Sequence, residues 1–125
     1  RQRSTAAKEA GEYLESHAIQ ALAIETAEAA AEWLHAQLRA MWGVPDTVEM
    51  TMKDRFAARY RGKRFSFGYP ACPDLGDQAA LWQLLRPQEI GVNLTDGMMM
   101  EPEASVSAIA FHHPDARYFS VSGRR

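Results

Sequence analysis

The sequence has 125 residues, of which 46% are hydrophobic, and 14 basic against 16 acidic side chains give it a formal net charge of −2. That length allows one domain with one ordinary core, and the balanced charge argues against a dedicated nucleic-acid surface. Because the chain has one cysteine, Cys72, no apolar run of membrane-spanning length and no apolar stretch at its start, we expect a cytoplasmic protein without an internal disulfide, a membrane segment or a secretory signal.

Residues 4–42 predict a long helix, because the stretch is rich in Ala, Glu, Leu and Gln and contains no Pro. A hydroxyl residue, Ser4 or Thr5, is a candidate N-cap, and Gly43 is a typical stop. An unbroken helix of this span would be about 58 Å long. We therefore expect either a break near Gly11 or a helix that extends across a larger body.

One side of this helix carries an apolar stripe. Its members are Tyr13, Ile24, Ala31, Leu38 and Trp42. Glu28 lies beside the stripe among other acids, a pattern that is typical of a solvated helix face. If the chain is a fragment, the stripe would be incompletely covered, and we expect self-association.

Shorter elements are predicted along the rest of the chain. Residues 49–60 and 75–85 have helical spacing of apolar side chains, whereas residues 65–73 predict a loop punctuated by Gly and Pro. Alternation of apolar and polar residues predicts strands at residues 90–95, 105–111 and 118–121. The elements together predict an α+β domain, in which a long N-terminal helix and shorter helices pack on a small antiparallel β-sheet or meander.

No catalytic set or metal-binding motif stands out in the sequence. His112 and His113 are neighbours, and adjacent residues on a strand point to opposite faces. Neither a Cys nor a carboxylate nearby completes a set of metal ligands. We therefore expect neither a catalytic residue nor a metal ion in this chain.

The most unusual segment is residues 64–73. Gly68 permits a positive φ or a close approach of the backbone to a ligand, and Pro70 stiffens the backbone of the loop after it. The Arg64 guanidinium could pair with a carboxylate, and the Tyr69 ring could stack on a ligand. From these residues alone, a turn between helices with an ordinary surface Arg is the favoured interpretation.

This segment resembles the signature of the activation domain of cobalamin-dependent methionine synthase, in the form Arg64-x-x-x-Gly68-Tyr69-Pro70-Ala71-Cys72-Pro73. Further blocks match the family in the same order at residues 27–35, 94–95, 100–102, 104–107 and 113–119. The resemblance implies that residues 1–125 are part of a single activation domain and a fragment of a larger multidomain enzyme of methionine biosynthesis.

The resemblance also implies a function. The domain would bind S-adenosylmethionine as the methyl donor for reductive reactivation of the enzyme after its cobalamin has been oxidised to cob(II)alamin. Cobalamin and zinc would be held by other domains of the parent enzyme. The cobalamin-binding domain would be one partner, and flavodoxin or a related flavoprotein reductase would be the other.

The family's ligand-binding residues can be carried over where the motifs match. Arg64 would pair with the carboxylate of S-adenosylmethionine, and Glu28 would face its ammonium group. Backbone groups of the turn would hold the adenine, Tyr69 would pack against the ligand and Tyr118 would close the pocket. The implied binding residues are Glu28, Arg64, Gly68, Tyr69, Pro70, Ala71 and Tyr118.

Two other hypotheses belong to different classes. The chain could be a structural or partner-docking module derived from this domain, which presents Trp33 and Trp42 to a corrinoid or flavin protein and binds no ligand of its own. It could instead be an independent methyltransferase, but that would need an acceptor pocket and a base, and the sequence indicates neither. We expect the isolated chain not to be catalytic.

Overall fold

The structure is a computed structural model that describes residues 1–119 of the chain. The chain forms two compact units: unit 1 contains Arg1–Ala31 and Gln78–Val106, and unit 2 contains Glu32–Asp77 and the residues from Ser107 onward. The helices are α1 (Gln2–Glu9), α2 (Tyr13–Met41), α3 (Met52–Phe56) and α4 (Gln78–Leu85), with 3-10 turns at Leu75–Asp77 and Pro87–Ile90. The strands are β1 (Lys63–Ser66), β2 (Asn93–Leu94), β3 (Met100–Glu101) and β4 (Ala108–Phe111).

The predicted long helix is divided near Gly11, which has a φ of +81° and separates α1 from α2. The Ser16 hydroxyl of α2 donates a 2.7 Å hydrogen bond to the carbonyl of Ser4 in α1, and this bond ties the two helices together. The expected cap at Ser4 or Thr5 is wrong. Both residues lie inside α1, whose N-cap is Arg1, and the Ser4 hydroxyl donates to the Arg1 carbonyl instead.

Several members of the apolar stripe on α2 are exposed. The exposed fraction is 68% for Tyr13, 41% for Ile24 and 42% for Trp42 at the helix end. The stripe is therefore incompletely covered, and both the fragment hypothesis and self-association stay predictions. In the part of the chain that the structure describes, no helix is long and apolar enough to cross a membrane.

Helix α3 is shorter than the predicted span of residues 49–60. Thr51 starts it with a capping box, since its hydroxyl accepts from the Asp54 N–H and the Asp54 carboxylate accepts from the Thr51 N–H. The helix ends after Phe56, which helical spacing places on the apolar side together with Tyr60 and which is 85% exposed. Tyr60 lies beyond the helix and is buried, so it does not share a helix face with Phe56.

The strands form two antiparallel ribbons and not a meander. In unit 2, β1 pairs with β4, and Arg64 lies opposite Ala110. In unit 1, β2 and β3 form a hairpin around Asp96 and Gly97, which are turn-forming residues, although the sequence predicted no strand at Met100–Glu101. The sequence predicted that a loop begins at Phe65, but β1 continues through this residue. The local sequence does not show the strand, because its hydrogen-bond partner β4 lies far along the chain.

The α+β class is confirmed, although the predicted strands are longer than the observed ones. Strand β2 covers only Asn93–Leu94, and β4 begins at Ala108. Tyr118 and Phe119, which were expected to start a third strand, lie outside the strands of the described residues, and residues 120–121 of that prediction lie outside the described part.

Candidate functional site

Arg64 lies in the middle of β1, where it is half-buried. The strand begins just after Gly62, which is buried and has a φ of +75°. A Cβ atom at Gly62 would lie 2.5 Å from the carbonyl oxygen of Phe111 in β4. A glycine is therefore required for β1 and β4 to approach each other at this point, and their pairing fixes the backbone that carries Arg64.

A closed turn comes directly after β1. The Gly68 N–H donates to the carbonyl of Cys72 over 2.8 Å, and the Cys72 N–H donates to the carbonyl of Tyr69 over 2.9 Å. Gly68 has a φ of +84°, and a Cβ atom there would lie 3.2 Å from Cδ2 of Leu75. Neither hydrogen bond uses the backbone of Ala71. The turn is thus held in one shape from within, and it leaves the Ala71 backbone and the exposed Tyr69 ring available to a ligand.

Tyr118 returns to this part of the chain without belonging to a strand. Its ring packs edge-on against Phe65, with 5.5 Å between the centroids, and Phe65 also packs against Phe111 at 5.6 Å. Successive side chains of a strand point to opposite faces. Tyr118 therefore contacts the Phe65 face of β1, while Arg64 extends from the other face.

A set of buried and half-buried polar side chains lies beside β1 in unit 2, and we name it the α2 polar cluster. It comprises Glu32, His35, Arg39, Asp46 and Tyr60. The Arg39 guanidinium is 1% exposed; it donates to Asp46 over 2.7 and 2.8 Å and lies 3.7 Å from the centroid of the Tyr60 ring. The Tyr60 hydroxyl donates to Oε2 of Glu32 over 2.8 Å. The guanidinium is thus held by a carboxylate and an aromatic face together.

The electrostatics of this cluster extend to two of the predicted binding residues. Burial, together with the charges of Arg39 and Arg64, lowers the pKa of His35 to about 4. Burial also raises the pKa of Tyr60, with added contributions from Glu32 and Tyr118. Arg64 and Tyr118 therefore both influence the pKa values within this cluster.

Sequence reasoning did not identify the α2 polar cluster. A signal was present, because Glu32, His35 and Arg39 recur at the spacing of one helix face. Polar residues at that spacing are more often a solvated face than a buried one. Tyr60 contacts all three: its hydroxyl donates to Glu32 from 28 residues along the chain, and its ring meets His35 and Arg39.

The structure also locates the other residues that the sequence singled out. Glu28 is exposed on α2 and belongs to unit 1, whereas the remaining predicted binding residues belong to unit 2. His112 lies past the end of β4, and its ring packs against Trp42 at a tilt of 40°, with 5.1 Å between centroids. Within residues 1–119, no group of three or more His, Cys, Asp or Glu side chains could hold a metal ion.

Unit 1 contains an open cavity of about 400 Å³. Residues of α1, α2 and the β2–β3 hairpin line it, among them Lys8, Gln20 and Met100. None of the predicted binding residues lines this cavity. We assign the candidate site to β1 and its turn, because that is where a cation, an aromatic ring and a rigid backbone occur together.

Known proteins resemble the chain in sequence and in structure. Residues 2–124 match the sequence model of a family described as "Vitamin B12 dependent methionine synthase, activation domain". Methionine synthase of Mycobacterium tuberculosis (strain ATCC 25618 / H37Rv) is 40% identical over 116 residues, and that of Mycobacterium leprae (strain TN) is 39% identical over 116 residues. Each alignment covers 88% of this chain, but only 10% and 9% of the respective relatives. The chain therefore spans about a tenth of the length of these curated relatives.

One solved structure is described as the crystal structure of the MetH reactivation domain bound to AdoHcy. It is 34% identical to this chain and superimposes with a TM-score of 0.89. The match covers 96% of this chain and 38% of the solved chain.

Proposed function

Because the chain belongs to the activation-domain family of vitamin B12-dependent methionine synthase, we propose that it binds S-adenosylmethionine for the reactivation of that enzyme. The observation that carries the proposal is the match over 96% of this chain to a reactivation domain bound to AdoHcy. S-adenosylhomocysteine is the product that S-adenosylmethionine leaves after methyl transfer. A site that binds S-adenosylhomocysteine therefore fits all of S-adenosylmethionine except its transferred methyl group. The parent protein would be a methionine synthase, and this chain would be one part of it.

The residues of β1 and its turn fit such a ligand. Arg64 offers a guanidinium that can bind a carboxylate through two parallel hydrogen bonds. The turn at Gly68 is closed by its own hydrogen bonds, so it needs no ordering when the adenine edge meets the Ala71 backbone. Pro70 restricts the backbone of this turn further. These features support a preformed site for an adenosyl amino acid.

We assign the remaining groups by the chemistry of the ligand. The family resemblance assigns the pairing with the ammonium group to Glu28, an acidic residue of α2. The exposed Tyr69 ring would face the ligand, and Tyr118 would close the pocket from the Phe65 face of β1, as the family resemblance implies. An aromatic face stabilises a sulfonium cation by roughly 0.5–2 kcal/mol. None of these residues needs to act as an acid or a base. They would contribute to the rate of methyl transfer by orienting the methyl donor, S-adenosylmethionine.

The chemistry itself would involve groups outside this chain. Bound S-adenosylmethionine supplies an electrophilic methyl group, and cobalamin in another domain would accept it after one-electron reduction by flavodoxin or a related flavoprotein. Zinc would likewise belong to another domain of the parent enzyme. The cobalamin-binding domain is therefore the proposed partner within the same enzyme.

Calorimetric titration of the chain with S-adenosylmethionine tests the proposal. We expect saturable binding, and competition by S-adenosylhomocysteine for the same site. Absence of binding at millimolar ligand would contradict the proposal. It would favour the partner-docking alternative, for which the 65% exposure of the Trp33 side chain is the supporting observation. Capture of a cobalamin protein in the absence of S-adenosylmethionine would then distinguish that alternative.

A further inference from the structure

Tyr60 joins the start of β1 to α2. Its hydroxyl donates to Oε2 of Glu32 over 2.8 Å, and its carbonyl accepts a 2.8 Å hydrogen bond from Nζ of Lys63, the first residue of β1. The same ammonium group donates to the carbonyl of Gly62 over 2.8 Å. The segment that enters β1 is therefore held by hydrogen bonds to its backbone carbonyls and by a hydrogen bond from the Tyr60 side chain.

The Tyr60 ring is fixed as firmly as its polar ends. The Arg39 guanidinium carbon lies 3.7 Å from the ring centroid, and the Lys63 ammonium lies 5.1 Å from it. The His35 ring meets it edge-on at 90°, with 5.3 Å between centroids. Only 9% of Tyr60 is exposed. These contacts hold the ring on several sides and direct its hydroxyl at Glu32.

Two supports thus determine where β1 lies. One is the ladder with β4, in which Lys63 pairs with Phe111 and Arg64 with Ala110. The other is the Tyr60 anchor, which acts just upstream of Arg64. The ladder fixes β1 relative to β4, and the contacts of Tyr60 with Glu32, His35 and Arg39 hold the entrance of β1 against α2.

We propose that Tyr60 is a positioning residue for Arg64: its bond to Glu32 holds the entrance of β1 so that the guanidinium meets the ligand's carboxylate. The inference rests on the proposed function, because it concerns the same site. Tyr60 touches no reacting atom and acts through Arg64. Its effect is therefore confined to ligands that carry the carboxylate.

The test is Tyr60→Phe in the full chain, which removes the hydroxyl and keeps the ring. Two ligands are titrated: S-adenosylhomocysteine, which has the amino-acid group, and 5′-methylthioadenosine, which lacks it. We expect affinity for S-adenosylhomocysteine to fall roughly fivefold and affinity for methylthioadenosine to be unchanged. Tyr13→Phe is the matched control, because Tyr13 is 68% exposed on α2, and it should change neither affinity.

A merely structural role for Tyr60 would weaken both ligands alike, and that result would overturn the proposal. In an Arg64→Ala background, Tyr60→Phe should have no further effect on S-adenosylhomocysteine, so additive losses would also overturn it. Hydrogen exchange without ligand tests the anchor by itself. We expect faster exchange of the β1 amides in Tyr60→Phe, and unchanged exchange would show that Tyr60 does not anchor the strand. If the wild-type chain binds neither ligand, the proposed function fails, whereas the exchange result still decides the anchor.

Discussion

Arg39 lies near the end of α2 and Asp46 lies beyond it, and the guanidinium holds the carboxylate through parallel hydrogen bonds of 2.7 and 2.8 Å. Their side chains are 1% and 8% exposed. Arg55 approaches the same carboxylate at 3.5 Å, and Glu32 approaches Arg39 at 3.6 Å. The segment after α2 is therefore held to the helix by a buried ion pair with further charges around it.

Removing one partner of this pair should be costly. Asp46→Ala leaves the Arg39 guanidinium buried without its bidentate carboxylate, and we expect a loss of about 3 kcal/mol in the free energy of unfolding. Glu89→Ala is the control, because it breaks the exposed pair with Arg86 and should cost under about 1 kcal/mol. Urea unfolding measures both variants. Equal losses would contradict a stabilising role for the buried pair.

The close approach of β1 and β4 at Gly62 gives a second prediction. Gly62→Ala and Gly43→Ala both place a Cβ at a positive φ, +75° and +78°, but only the first meets an atom within 4 Å. The strain common to both should cost roughly 1–2 kcal/mol. We expect Gly62→Ala to lose more, because its Cβ would meet the Phe111 carbonyl oxygen at 2.5 Å and separate the strands.

Thermal unfolding of the two glycine variants measures that difference, and amide exchange in β1 locates it. Gly43→Ala is the matched control for backbone strain. Equal melting temperatures and equal exchange would mean that the ladder can shift to accept the extra carbon at no cost.

Acid should destabilise unit 2 through His35. Because burial lowers the folded-state pKa of this group to about 4, the unfolded chain binds the proton first as the pH falls below 6.5. The contribution of neutral His35 to the free energy of unfolding is therefore full above pH 6.5 and is lost as the pH falls toward 4. The free energy of unfolding changes by at most about 1.4 kcal/mol per pH unit in this range. The hydrogen bonds from Arg39 lower the pKa of Asp46, so a second loss occurs at still lower pH, below the usual carboxyl pKa.

Unfolding measured between pH 4 and pH 7 checks this assignment. His35→Asn should flatten the slope between pH 4 and 6.5, and His113→Asn, a change at an exposed histidine, should leave it intact. An unchanged slope in His35→Asn would assign the acid sensitivity to other groups.

The parts of the fold that could be predicted are those encoded locally. Gly11 interrupts the helix-forming run, and Asp96 lies in the hairpin between β2 and β3, so both features can be read from neighbouring residues. Strand β1 could not be predicted, because its hydrogen-bond partner β4 lies far along the chain. The burial of Arg39 could not be predicted either, since it depends on Tyr60 arriving from beyond α3.

The candidate site depended on a different kind of inference. Physical reasoning identified a stiff turn at Gly68 and a cation at Arg64, but by itself it favoured an ordinary surface turn. The family resemblance supplied the ligand and the roles of Glu28 and Tyr118. The structure adds the internal bonds of the turn and the contact of Tyr118 with Phe65, which periodicity cannot provide.

The central claim is that Arg64 binds the carboxylate of an adenosyl amino acid, and titration of S-adenosylhomocysteine into wild type, Arg64→Ala and Arg61→Ala tests it most directly. Arg61 is an exposed arginine close by and serves as the matched control. We expect Arg64→Ala to weaken binding by about 1.5–3 kcal/mol, as for the loss of a hydrogen bond to a charged group, and Arg61→Ala to bind as the wild type does. Equal affinity in all three proteins would remove Arg64 from the site and contradict the account.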